Sequence, residues 1–161
     1  MKNLYPGDRG ILVKYVQLAL RRAGYEVATD GNFGPKTCRA LESFIGENKA
    51  CVVNDAAWNL LLPYLRGYTT HIVKSGDSFY SIAKMHNTTV DRIRQANPDA
   101  QEDNLTIGTM LTVPFDYDLV EESFPYTSML TEWVIDGLQM RYPSVETGSI
   151  GLSVMGNAIP Y

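Results

Sequence analysis

Few side chains in this sequence could hold a metal, attack a substrate or move a proton. There are two histidines, His71 and His86, two cysteines, Cys38 and Cys51, and one conspicuous acidic run, FDYDLVEESFPY. A zinc site that activates water needs three or four nitrogen, sulfur or carboxylate ligands, and a His-x-x-Glu pair is a common way to supply two of them. His71 is followed by Ile-Val-Lys and His86 by Asn-Thr-Thr, so neither opens such a pair. Both read as ordinary surface or core histidines. No metal ligand and no catalytic residue is assigned. The cysteines have no flanking histidines at a zinc spacing, and Cys38 falls within an expected helix. The expectation there is a small buried hydrophobe rather than half of a disulfide. The acidic residues of 116–125 read as a solvated linker rather than as paired catalytic carboxylates.

What remains is the chemistry of polar turns beside apolar residues, and the elements that position those turns follow from pattern. His71 to Lys74 is a β-branched run that meets Ser75-Gly76-Asp77-Ser78, a turn whose last two residues can cap a helix. That helix carries Phe79, Ile82 and Ala83 inward and stops near Asn87, which tolerates a left-handed backbone. Thr88 or Thr89 caps a second helix that buries Val90, Ile93 and Ala96. Asn97-Pro98 ends it, because the residue before proline is pushed out of the α region. After a polar loop, Leu105, Ile107 and Gly108 lead into Met110 to Val113, where Leu111 and Val113 alternate with threonines as in a half-buried strand. The predicted order is strand, helix, helix, strand.

Gly76-Asp77-Ser78, Ile82-Ala83, Ile93, Asn97-Pro98, Leu105, Ile107-Gly108, Leu111 and Val113-Pro114 stand in the order and spacing of a LysM domain, which residues 70–115 resemble. Histidine at 71 replaces a commoner aromatic and Phe79 a commoner leucine. The resemblance implies binding of N-acetylglucosamine-containing glycans, peptidoglycan or chitin, in a shallow groove. It puts that groove at Gly76, Asp77, Ser78 and Phe79 facing Asn97, Pro98 and the segment up to Ile107, Leu105 included. Short polar groups and backbone amides can hydrogen-bond an N-acetyl group while an apolar floor receives its methyl. Residue by residue, Gly76, Asp77 and Asn97 are also turn and cap formers in any fold.

In residues 1–66, Asp8 is the expected cap of a helix that buries Val13, Val16 and Leu20 and ends at Gly24. Thr29 to Asn32 form a turn-rich bridge to Pro35, which suits a first helical turn. The next helix buries Thr37, Ala40 or Leu41, and Phe44. Asn54-Asp55 caps a third with Trp58, Leu61, Leu62 and Leu65 inward, and Pro63 either kinks or shortens it. Arg9-Gly10, Val13, Gln17, Leu20, Gly24-Tyr25, Asp30 to Gly34, Thr37, Ala40 and Phe44 resemble the peptidoglycan-binding type 1 domain, with Ile45 where that family usually has glutamine. Asp30, Gly31, Phe33 and Gly34 are then a candidate second wall-contact loop. The structural alternative, a tight turn whose carboxylate caps amides and whose ring closes the core, is preferred.

Residues 126–161 read as a helix from Thr127 with Leu130, Trp133, Val134 and Leu138 on one face, a strand at Val145 to Ile150, a turn-rich connection, and a returning strand from Ala158. Phe124-Pro125-Tyr126, Arg141-Tyr142-Pro143, Gly148 to Gly151, Ser153-Val154 and Gly156 to Ile159 resemble the opening of the zinc carboxypeptidase family, whose wall-acting members cleave γ-D-glutamyl to diamino-acid bonds. The resemblance implies a parent murein peptidase with zinc only in a region beyond Tyr161, and no peptidase activity or cofactor in these residues. An exposed apolar face at Leu130, Trp133 and Leu138 is expected, to be covered by the other domains or by self-association, or else left mobile.

The fold class is therefore α+β: a three-helix domain, a βααβ domain, and a helix plus hairpin fragment. With 45% hydrophobic and 20% charged residues, disorder over most of the chain is not expected. A net charge of -4 excludes the clustered basic surface that a nucleic-acid partner needs. No apolar run approaches the ~20 residues of a membrane span, and MKNLYPGDRG lacks the apolar core of a secretory signal. The expected partner is peptidoglycan or a related N-acetylglucosamine polymer, at a cell wall or spore envelope. The alternatives are a free-standing spore-coat or wall-assembly adhesion protein, or the binding region of a phage lysin.

Overall fold

The computed structural model describes residues 1–46, 50–121, 124–152 and 158–160. The chain divides into two compact units, Met1–Leu65 and Arg66–Tyr161.

The first unit is helical, with α1 at Ile11–Arg22, α2 at Pro35–Ile45 and α3 at Asp55–Arg66, whose last residue opens the second unit. The three and four residue spacing of Val13, Val16 and Leu20 turns them inward, where they join Leu41, Trp58 and Leu61, all fully buried. Gly24 ends α1 with φ +95°, its amide donating to Arg21 O and that of Tyr25 to Leu20 O. Asp8 does not cap α1 as expected: Gly10 occupies that position, and Asp8 accepts from the Tyr5 amide instead. Pro35 is at the start of α2, and Asn54 caps α3 by accepting from the Ala57 amide at 3.0 Å. Pro63 does not shorten α3, which continues to Arg66.

The expectation of an unpaired, buried Cys38 is overturned, since Cys38 and Cys51 form a disulfide with Cα atoms 5.5 Å apart. Cys38 is only half-buried, at the edge of the Thr37, Ala40 and Leu41 face. Mutual backbone bonds between Leu4 and Val53, 3.0 Å each, fix the segment that carries Cys51. That pairing between distant segments had no local signal.

In the second unit, β1 (Tyr68–Ile72) and β2 (Met110–Pro114) pair antiparallel, His71 opposite Leu111, with α4 (Phe79–Met85) and α5 (Val90–Ala96) between them in sequence. Val73, Phe79, Ile82, Ile93, Leu111 and Val113 form the core. β1 starts three residues before the expected run because Tyr68 to Thr70 pair with Pro114 to Thr112. Ser78 caps α4 in a reciprocal box with Ser81, Thr89 caps α5, and Asn87 adopts φ +49° where a left-handed stop was expected.

The unit continues through α6 (Ser128–Arg141) to β3 (Ser149–Leu152) and β4 (Ala158–Pro160), which pair antiparallel. The expected strand from Val145 begins instead at Ser149; the Val145 amide closes a turn onto Tyr142 O. Residues 153–157 and 161 of the expected connection and returning strand lie outside the described residues. The apolar face of α6 is not left exposed. Leu130 and Val134 are buried, and Trp133 and Leu138 half-buried. Arg141, 4% exposed, donates to Gly67 O at 2.8 Å, Phe115 O at 3.1 Å and Tyr117 O at 2.8 Å, clamping α6 to the one end of the pair where β1 starts and β2 stops. Gly137 permits the approach, since a Cβ there would lie 1.8 Å from Arg66 O. Nor is 116–125 wholly a solvated linker: Leu119 and Phe124 are buried, and Leu119 fills the space beside Gly67 and Gly137.

Candidate functional site

In the second unit the loop that follows β1 starts against the segment that leads into β2. The Val73 amide donates to Thr109 O and the Gly108 amide to Val73 O, both at 2.9 Å, so the segment after β1 is laced to the segment before β2. Beyond Val73 the chain makes a tight turn: the Asp77 amide donates to Lys74 O at 3.1 Å, and Asp77 Oδ2 accepts from the Lys74 amide at 2.8 Å. Gly76, with φ +87°, supplies the left-handed residue that this turn requires.

Asp77 Oδ2 also accepts from His71 Nε2 at 2.8 Å, and His71 Nδ1 lies 3.2 Å from His86 Nε2. The His71 bond foremost, then that from Lys74, hold the Asp77 carboxyl below the usual carboxylate value of 3.8. Burial, then the neighbouring His71, push His86 below 6.5. These two histidines, read from sequence as ordinary residues, are partners of a loop residue. The only available signal was the histidine at the position where a LysM strand more often has an aromatic.

The predicted contact residues fall into distinct environments. Gly76, Ser78, Pro98 and Ile107 are exposed, Asp77, Asn97 and Leu105 half-buried, and Phe79 fully buried in the core with no free face. Asn97 turns inward. Its amide donates to Ile93 O and Thr112 O, both at 2.7 Å, and its carbonyl accepts from the Thr112 amide at 2.8 Å. A cavity of about 320 Å³ opens beside Leu105, lined also by Asp99, Gln101, Asn104, Thr106 and Thr109. Its mix of amides, hydroxyls and an apolar wall suits a polar ligand with a small methyl group. Asp99, Gln101, Asn104, Leu105 and Thr106 fall in the segment up to Ile107 that the LysM resemblance set opposite Gly76 to Phe79.

In the first unit, Gln17 organises the candidate loop. It is 1% exposed; Nε2 lies 2.9 Å from Asp30 Oδ1, 3.0 Å from Asn32 O and 3.0 Å from Thr37 Oγ1, and Oε1 accepts from the Gly31 amide at 2.8 Å. Asp30 is held below 3.8, chiefly by the Asn32 amide and then by Gln17. Phe33 is buried, and a Cβ at Gly31 would meet Lys14 Cγ at 3.1 Å and Gly10 O at 3.2 Å. Asp30, Gly31 and Phe33 thus shape the turn, and Asp30 and Gly34 also border a cavity of about 220 Å³ with Lys36 and Thr37. Cys38, Glu42 and Cys51 lie close enough to share a metal, yet the disulfide leaves no thiolate to bind one. Among the described residues no helix is long and apolar enough to cross a membrane.

Comparison with known proteins finds a family match within each of the two units. Residues 71–114 match the family described as LysM domain, and residues 12–57 match the family described as Predicted Peptidoglycan domain. A curated relative, the LysM domain receptor-like kinase 3 of Arabidopsis thaliana, is 29% identical over 86 residues, covering 52% of this chain and 12% of that protein. The chain therefore spans about an eighth of the length of that relative. Geometry and comparison together identify a LysM domain at residues 71–114, preceded by a peptidoglycan-binding domain at residues 12–57.

Proposed function

We propose that this chain binds peptidoglycan, and that the ligand is an N-acetylglucosamine-containing stretch of glycan held along the laced loops of the second unit. The observation that carries this reading is the joining of Val73, which leads into the turn ending at Ser78, to Gly108 and Thr109 beside the cavity lined by Leu105 and Thr106, all within the matched LysM segment. The loop edge offers hydroxyls and amides, Leu105 offers an apolar wall, and no step of catalysis is asked of any residue. The peptidoglycan-binding domain of the first unit adds a second wall-directed module. Tethering two weak sites raises apparent affinity by about a hundredfold or more when both engage.

The test is cosedimentation with purified sacculi. Retention of the whole chain is expected, and Thr106→Arg, which fills the cavity from an exposed position, should weaken it about tenfold. No retention of the parent chain would refute the reading, and full retention of Thr106→Arg would move the ligand away from this cavity.

The finer reading is that these residues are the non-catalytic arm of a zinc-dependent wall peptidase. It is supported by the resemblance of Phe124 to Ile159 to the opening of the zinc carboxypeptidase family. A His-x-x-Glu sequence in a continuation of the reading frame past Tyr161 would support it, and a stop codon there would oppose it.

A further inference from the structure

Asp77, His71 and His86 form a continuous chain of contacts from the groove loop through the strand to the end of α4, and glycan binding as read above assigns the histidines no part. Asp77 and His71 are 13% and 9% exposed, so their 2.8 Å contact is shielded from water. The same carboxylate oxygen that His71 holds also receives the Lys74 amide, so His71 grips the turn at its pivot. Lys74 follows Val73, whose backbone bonds join the start of this loop to Thr109 and Gly108, and Thr109 lines the cavity.

Proton counting fixes the roles. With both rings neutral, His71 Nε2–H donates to Asp77, so His71 Nδ1 carries a lone pair and accepts from His86 Nε2–H. One proton from solvent can be added without breaking this arrangement. It sits on His71 Nδ1, His86 changes tautomer so that its Nε2 accepts, and the imidazolium faces the Asp77 carboxylate. A second proton would set two N–H groups against each other 3.2 Å apart.

Other charges around the pair are accounted for. The loop contributes Lys74, which acts on Asp77. β2 sets Leu111 opposite His71 and Met110 beside it, neither titratable. On α5, Asp91 and Arg94 pair together, Arg94 also holds Glu102, and Arg92 holds Asp116. α4 adds the exposed Lys84, and α6 adds Glu132, Asp136, which pairs with Arg66, and Arg141. Two nitrogens with no third donor make no metal centre; among the described residues the grouped set is Cys38, Glu42 and Cys51.

We propose that His71, oriented by His86, is a positioning residue for the glycan loop, and that protonation of His71 tightens its grip on Asp77 and so raises glycan affinity. This rests on the glycan-binding reading. The physical reason is that the Asp77 carboxylate, held by a single N–H bond while His71 is neutral, is held in addition by the attraction of opposite charges once His71 is an imidazolium, and a loop already held in its bound form loses less freedom on binding.

The experiment is titration calorimetry of the full chain with N-acetylglucosamine pentamer, which has no titrating group, at pH 7.5 and pH 5.5, with the Lys74 and Asp77 amide shifts followed by NMR without ligand. Affinity should rise about two- to fivefold at the lower pH. His71→Gln keeps a donor for Asp77 but no charge, and should bind within about twofold of the parent at pH 7.5 and show no pH response. His71→Leu should bind more weakly at both pH values, and His86→Gln should keep the response. A His71→Gln profile parallel to the parent, or a parent profile flat in both affinity and amide shifts, would overturn the proposal and leave glycan binding intact. No binding at either pH, with the Lys74 and Asp77 amides still following His71, would overturn the glycan reading and support the loop coupling.

Discussion

Asn97 separates ligand contact from structural support. Its side chain makes three inward hydrogen bonds, 2.7 Å to Ile93 O, 2.7 Å to Thr112 O and 2.8 Å from the Thr112 amide. It thereby ties the end of α5 to β2, which has a partner strand on one side only. At ~1 kcal/mol for each neutral bond, Asn97→Ala should cost about 3 kcal/mol. Thr112 is 9% exposed, so the two backbone groups left behind are poorly placed to find water. For a domain of this size that loss corresponds to a fall of roughly 12–24 °C in Tm. Asn97→Asp keeps the bond from the Thr112 amide but sets a carboxylate against two carbonyl oxygens, so it should be the less stable variant at neutral pH and recover partly in acid. Hydrogen exchange at the Thr112 amide, read by NMR, reports the second unit separately from the first. At a temperature where every variant is folded, pentamer affinity of Asn97→Ala should stay within about twofold of the parent. A stability loss below ~1 kcal/mol, or unchanged stability with binding abolished, would refute the inward role and make Asn97 a ligand contact.

Gly137→Ala should destabilise the second unit by about 1–3 kcal/mol or more, because the added Cβ meets the backbone oxygen of Arg66 at 1.8 Å; thermal unfolding checks this. Ser78→Ala removes the cap of α4 and should cost ~1 kcal/mol in urea denaturation. Reducing Cys38–Cys51, which closes a separation of 13 residues, should lower the stability of the first unit by about 3 kcal/mol, seen as loss of exchange protection in α1. Asp30, held below 3.8, contributes stability that is complete above that value and lost as pH falls through its lower folded value. Asp30→Asn should therefore flatten the urea midpoint between pH 5 and pH 2.5 relative to the parent.

Periodicity and punctuation carried much of this fold. The inward faces of α1, α4 and α5, the caps at Asn54, Ser78 and Thr89, and the left-handed Asn87 all depend on neighbours within a few residues, so their side chains announce them. The candidate site was partly legible for the same reason: Gly76-Asp77-Ser78 is a turn and cap whose geometry is local. Phe79 shows the limit. Its position beside the turn marks it for the site, but helical rotation carries its ring into the core.

The sequence by itself determined the α+β class, the order of helices and strands and the placing of the LysM segment, because each rests on short-range spacing. Only tertiary structure decided that Cys38 meets Cys51, that Arg141 binds the backbone where β1 starts and β2 ends, and that α6 lies against α5 and the β1–β2 pair with Leu130 and Val134 buried. It alone joined Asp77 to His71 and His86. Those contacts link residues whose separation in the chain leaves no pattern in composition or period. They exist only once burial has brought the elements together and left each polar group to find a partner.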